Sequence, residues 1–198
     1  MNNMNTVPEP IKHLKLRHAF KGYTPSFEEC SVTTREKVFR IVDDEESKCT
    51  CISTAEDDAK CCIVYNPTAD EAIVGSIDNK LIKNHKGGIA DGAVFNIEHF
   101  HFVEFKTDAE GHTIDAVTYT YNKAMDQLLE TLSVFANNLL KAQVDFFKET
   151  EVQCHIILSK VFPRSIASEQ TYRLEFAQKT MSQLKFPVAL YFDQSFEI

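Results

Sequence analysis

The chain has no uninterrupted apolar run of about 18 residues, which excludes a membrane-spanning helix. Residues 1–15 have neither an apolar core segment nor a small-residue cleavage site, so no secretory signal is read there. A basic excess is also missing: 29 acidic residues against 21 Lys and Arg give a net charge of −8. That excludes a surface that adheres everywhere to nucleic acid or anionic membrane, and leaves room for a local basic groove. No repeat, low-complexity tract or long linker divides the 198 residues. What is present is a 43% hydrophobic share, enough to bury a core and to exclude wholesale disorder, in a length suited to one domain. Six cysteines without an export signal read as reduced thiols of a cytosolic protein.

Residues 1–35 are expected to form an irregular arm, and residues 36–198 a single domain. Within the arm, Lys12, His13, Lys15, Arg17, His18 and Lys21 interleave with Ile11, Leu14, Leu16 and Phe20. That reads as a solvated terminal segment, or as an arm that packs its apolar residues and shows charge to a partner. β-rich runs follow at 38–42, 49–54 and 60–65, separated by acidic turns at 43–47 and 56–58. Residues 72–77 are a further strand, from which Asp78-Asn79 turns into a returning strand at 80–82. Residues 91–95 and 99–106 make a hairpin about Asn96-Ile97-Glu98. A polar loop spans 107–118. Apolar residues recur at three- and four-residue steps (Ala124, Leu128, Leu132, Phe135, Leu139, Phe146), predicting a helix from Tyr121 to about Thr150. A strand at 152–158, a helix from 165 to 185 with Ser165 as N-cap and Pro187 beyond its end, and a last strand at 188–192 complete the chain. This order predicts an α/β layer: a mixed sheet carrying helices, with the N-terminal strands extending it or forming a small lobe beside it.

The informative stretch is Asp91 to Lys106. Residues two apart on a strand share a face, so Glu104 and Lys106 point one way, with Phe100 and Phe102 deeper on that side under a helix. His101, Val103 and Phe105 point the other way. Charged groups ending a buried strand face need partners. The hairpin brings Asp91 near Glu104 and Lys106, and a divalent cation relieves the repulsion between the two acids. Mg²⁺ needs few protein oxygens, and two carboxylates with the Phe105 carbonyl suffice. Lys106 is then placed to act on a water or on phosphate charge.

Asp91, followed after twelve residues by Glu104-x-Lys106, resembles the motif of the PD-(D/E)XK nuclease-like superfamily, and the match is closest in pattern to small bacterial members. Gln127-Leu128, on the helix after the hairpin, matches a Gln-Leu pair often found there, and Lys123 shares its helix face. The resemblance implies a restriction-endonuclease-like mixed β-sheet flanked by helices, here with an additional β-rich N-terminal segment. It implies an Mg²⁺- or Mn²⁺-dependent nuclease acting on DNA, or less readily RNA. Asp91, Glu104 and the Phe105 carbonyl would hold the metal, with Lys106 and Gln127 completing the catalytic group. Two departures stand out. Ala90 occupies the place of the usual Pro, and the early helical Glu of the family has only Glu71 as a candidate. Some members keep the fold without cleavage, so the rival reading is an inactive protein-interaction or dimerisation module.

Lys80, Lys83, His85 and Lys86, with Lys123, either supply a local positive rim for a phosphate backbone or are solvated. Cys49, Cys51, Cys61 and Cys62 read as buried thiols, because adjacent Cys61 and Cys62 point to opposite strand faces and spoil a zinc tetrahedron. His99 and His101, on the face opposite Glu104, read as packed or surface side chains.

Overall fold

A computed structural model describes residues 7–53 and 60–198. The acidic turn expected at 56–58 lies outside them. Two short helices open the described chain, α1 (Glu9–His13) and α2 (Leu16–Ala19), followed by a 3-10 turn (Glu28–Cys30) and strand β1 (Ser31–Thr34). Residues 9–34 are therefore not an irregular arm. Ile11, Leu14, Leu16 and Phe20 are all buried in the main core, while Lys12, Lys15, Arg17 and Lys21 face out. Helices of one turn are too short to display a period, so packing rather than pattern makes them.

The remaining elements are β2 (Val38–Asp44), β3 (Cys49–Ser53), β4 (Cys62–Tyr65), β5 (Ala72–Ser76), β6 (Gly92–Phe95), β7 (His99–Lys106), α3 (Ile114–Lys141), α4 (Phe146–Glu149), β8 (Glu151–Leu158), α5 (Ile166–Leu184), β9 (Ala189–Tyr191) and β10 (Ser195–Glu197). They form a mixed α/β protein with two mixed sheets. The central sheet has six strands in the order β1-β5-β6-β7-β8-β9, and the second has four in the order β10-β4-β2-β3. β1, β5, β6 and β7 pair antiparallel, whereas β7, β8 and β9 run parallel. Parallel neighbours need a crossover, and α3 and α5 supply the two. Among the described residues no helix is long and apolar enough to cross a membrane.

The central sheet is covered on both faces, which is why β5 to β8 read as nearly continuous apolar runs. On one face Phe95, Phe100, Phe102 and Ile156 pack against Leu128, Leu132 and Phe135 of α3 and against the N-terminal helices. On the other, Val74, Val94, Val103, Phe105 and Ile157 meet Phe39, Ile41, Val64 and Phe196 of the second sheet. His101 and His155 are buried between the sheets, Nδ1 to Nε2 at 2.8 Å, with both rings stacked on Phe196. Burial holds both imidazoles neutral, pushing His155 down to about 3 and His101 well below its ordinary value. His99, half-buried, stands 3.7 Å from Glu151.

Four expected features differ. Residues 80–82 do not return as a strand. Asn79 adopts φ +59°, and the Ile82 amide bonds back to the Ile77 carbonyl at 2.9 Å, closing a tight loop with one bridge between Asp78 and Ile82. α3 begins at Ile114, capped by the Thr113 hydroxyl accepting from the Ala116 amide at 3.2 Å. Ile114 and Tyr119 are exposed there, which hid the period. α3 ends at Lys141, where Gln143 turns left-handed (φ +60°) and the Val144 amide reaches the Leu139 carbonyl at 2.9 Å. Phe146 reaches the core from the separate α4. Finally, β9 is not the last strand. β10 crosses to the second sheet and pairs in parallel with β4. Its three residues are too few to announce a strand by alternation.

The second sheet presses on the end of β6. A Cβ at Gly92 would come within 2.6 Å of the Thr50 hydroxyl oxygen, and the Thr50 amide donates to the Ser76 hydroxyl at 3.2 Å. Gly92→Ala is expected to cost roughly 1–3 kcal/mol of stability by overpacking this contact. The measurement is a lowered urea midpoint with an unchanged slope.

Candidate active site

The β6–β7 ladder ends at the pair Gly92–Val103, so the next step outward sets Asp91 against Glu104 where the two strands part. No backbone carbonyl of β6 reaches this far to meet the Phe105 amide. The Asp91 side chain does so instead, its Oδ2 accepting from Phe105 N at 2.6 Å. A strand residue directs its N–H and C=O to the same edge, so the Phe105 carbonyl shares the edge that Asp91 faces. The Asp91 carbonyl in turn accepts from the amides of Ile77 at 2.9 Å and Asp78 at 3.3 Å, tying the β5–β6 loop to the same point.

Glu104 is completely buried. Its Oε1 accepts a short hydrogen bond from Lys106 Nζ, while Oε2 is buried without a hydrogen-bond partner. Lys106 Nζ also donates to Gln127 Oε1 at 3.1 Å, and Gln127 Nε2 donates to the Ile89 carbonyl at 3.1 Å. Gln127 is held by close quarters as well. Gly88, at φ +86°, lies so near that a Cβ there would meet the Gln127 Cγ at 2.9 Å. Both the backbone angle and the space require glycine at 88. Glu104, Lys106 and Gln127 are thus joined by hydrogen bonds between β7 and α3, and Asp91, just before β6, is tied beside them through the Phe105 amide.

Electrostatics match that crowding. Asp91 is half-buried as a residue, with its carboxyl turned inward. Burial, then the Glu104 and Asp43 carboxylates, push its pKa well above the ordinary range against the opposing pull of the Phe105 amide and Lys106. Burial raises Glu104 from an ordinary 4.5 to about 7, with Lys106 and the Asp91 backbone amide holding it lower and Asp78 raising it. Because the folded value exceeds the unfolded one, the native state binds the extra proton between pH 4.5 and 7. The stability this lends is complete at low pH and is lost as pH rises through about 7. In metal-free protein, the stability of Glu104→Gln relative to wild type is therefore expected to increase from pH 5 to pH 8 by on the order of 3 kcal/mol. Paired urea titrations across that range measure it.

A cavity of about 290 Å³ opens beside Lys106, lined by Asp43, Phe105, Lys106, Asp108, Tyr119 and Lys123 among others. Of the four lysines expected to form a basic rim, Lys123 borders this cavity. Lys80, Lys83 and Lys86 lie on the β5–β6 loop that carries Asp78. Glu71 is elsewhere: it precedes β5, accepts from the Glu9 amide at 2.7 Å and stands 3.6 Å from Arg35, so it does not join Asp91. None of the six cysteines is in a disulfide. Among the described residues, no three His, Cys, Asp or Glu side chains gather closely enough to enclose a metal by themselves.

The sequence reading missed Asp78 and Asp43. Asp43 was legible by position, because it shares the β2 face of Phe39 and Ile41 and stands exposed at the end of that face. No family model, curated protein or solved structure matches this chain.

Proposed function

We propose that the chain is a divalent-metal-dependent nuclease of the PD-(D/E)XK type, with a restriction-endonuclease-like central sheet, hydrolysing phosphodiester bonds in DNA. The observation that carries this reading is Glu104. A wholly buried carboxylate with one oxygen lacking a partner is costly unless a cation or proton completes it. The donors around it are all hard oxygens, which suits Mg²⁺ or Mn²⁺ better than a thiolate- or imidazole-seeking metal. Asp91, Glu104 and the Phe105 carbonyl would hold the ion. When bound, it would supply Lewis acidity toward a phosphoryl oxygen and acidify a water.

The chain's own groups do the rest. Lys106 presents an ammonium at the cavity wall, where it neutralises charge building on a phosphate oxygen. Gln127 fixes that ammonium by a hydrogen bond and is itself anchored on Ile89. Lys123 offers a second positive charge to the phosphate backbone at the cavity mouth. The test is incubation of linear and circular duplex DNA with the protein and Mg²⁺ or Mn²⁺. Cleavage that vanishes with chelator and in Lys106→Ala supports the reading. Equal cleavage by Lys106→Ala after matched purification overturns it.

A second reading is favoured by one observation: Lys106 already lies against Glu104, so the buried charge has a partner in the chain itself. On that reading the assembly is structural, and the protein is an inactive nuclease-fold module that binds another protein or a second copy of itself. It predicts no thermal response to Mn²⁺ and no cleavage of any nucleic acid.

A further inference from the structure

We infer that Asp43, from the second sheet, is an outlying third carboxylate of the cation site that Asp91 and Glu104 would form, reaching it from the cavity that opens beside Lys106. The inference rests on the proposed metal-dependent reading and deepens it.

Three placements carry it. First, Phe39 and Ile41 are buried against the central sheet, and Asp43, next on the same face of β2 and exposed, lines the cavity together with Phe105 and Lys106. Secondly, the β2–β3 register sets Asp43 opposite Thr50, and Thr50 is the residue pressed onto Gly92. The ladder carrying Asp43 is thereby seated one residue from Asp91, with no side chain at Gly92 to hold it off. Thirdly, the Glu104 Oε2 atom is buried without a hydrogen-bond partner, and Lys106, which bonds the other oxygen of that carboxylate, lines the same cavity as Asp43. The other acids nearby are engaged locally. Asp108 sits 2.5 Å from Lys60, and the Asp78 carboxylate accepts from the backbone and side-chain amides of Asn79 at 2.9 and 3.0 Å.

Asp43 does not close a tight three-acid cage with the other two. Mg²⁺ keeps several of its waters, however, and a carboxylate that accepts hydrogen bonds from them contributes charge and orientation without touching the ion. The second sheet is then part of the site and not only a cover for the central one.

The experiment is calorimetric titration of Mn²⁺ into the full chain, comparing wild type with Asp43→Asn, Asp43→Glu, Asp108→Asn and Glu104→Gln. Metal-free melting temperatures within a few degrees of wild type identify folded variants. If Asp43→Asn fails that criterion, Asp43→Ser replaces it. Asp43→Asn is expected to weaken Mn²⁺ binding roughly tenfold or more, the usual scale for outlying partners of a metal. Asp43→Glu should recover most of that loss, Asp108→Asn should bind within twofold of wild type, and Glu104→Gln should not bind. Wild-type affinity in Asp43→Asn overturns this inference alone, since loss in Glu104→Gln would still support the metal site. A wild-type protein that takes up no Mn²⁺ overturns both.

Discussion

On the proposed nuclease reading, Glu104→Gln is expected to reduce metal-dependent DNA cleavage by about 10³-fold or more, the scale on which one preorganised electrostatic contact acts, while leaving the protein folded. The substitution keeps the volume of a side chain that has no exposed surface and removes only its charge. Lys106 loses an ionic partner but keeps its hydrogen bond to Gln127 at 3.1 Å. Because the amide has no charge to hold in a buried position, the metal-free variant should melt at or above the wild-type temperature near pH 8. The added stability that wild type gains with Mn²⁺ should be absent in the variant. Together these outcomes separate loss of a cation site from loss of structure. A variant that cuts normally, or that still gains melting temperature with Mn²⁺, removes Glu104 from the site.

The second large effect belongs to the core. Phe135 of α3 is fully buried, with ring centroids 4.7 Å from Phe20, 4.9 Å from Phe102 and 5.8 Å from Phe100. It joins the N-terminal helices, the long helix and β7 at one place. Phe135→Ala removes the common partner of rings from three separate segments. The cost should be about 3–5 kcal/mol, seen as a melting temperature lower by roughly 10–15 °C for a chain of this size. Hydrogen-exchange protection should fall first in α1 and α2, one-turn helices held by packing into the core that Phe20 shares with Phe135. Cleavage per folded molecule should be unchanged at low temperature, because Phe135 lies two helical turns from Gln127 and does not reach Lys106.

What could be read from the residues followed the strength of their local patterns. β7 was legible to both ends, because eight residues alternate between two buried faces. The Asn96 turn was equally plain: its side-chain oxygen accepts from the amides of Glu98 and His99 at 2.8 and 2.7 Å, a local arrangement that short polar side chains favour. Ser165 capping α5 through the Ser168 amide is of the same kind. The nearness of Asp91, Glu104 and Lys106 was legible because their spacing converts directly into position on a hairpin, and Gln127 was picked out by the family resemblance on the helix after it.

What was not legible depends on distant partners. α1 and α2 exist because Phe27, Phe95 and Phe135 leave a concave apolar surface for Ile11, Leu14 and Phe20 to fill. β10 exists because β4 has an open edge. Asp43 joins the candidate site because two sheets meet at Gly92. None of these depends on a neighbour within one helical turn or one strand step, and periodicity reports only such neighbours. The start of α3 was lost for the opposite reason, since its first turn projects apolar side chains into solvent and breaks the expected contrast of faces.

The pairing of β4 with β10 has a consequence for how the molecule is made. Ser195 lies beside Ile63 and the Ile198 amide bonds to the Tyr65 carbonyl at 2.9 Å, so segments from the first third of the chain wait for the final few residues. Closing so long a loop is entropically slow. During translation, a ribosome-held chain can assemble α3 against β7 while the edge of β4 stays bare. That edge is closed only when residues 195–198 fold back onto it.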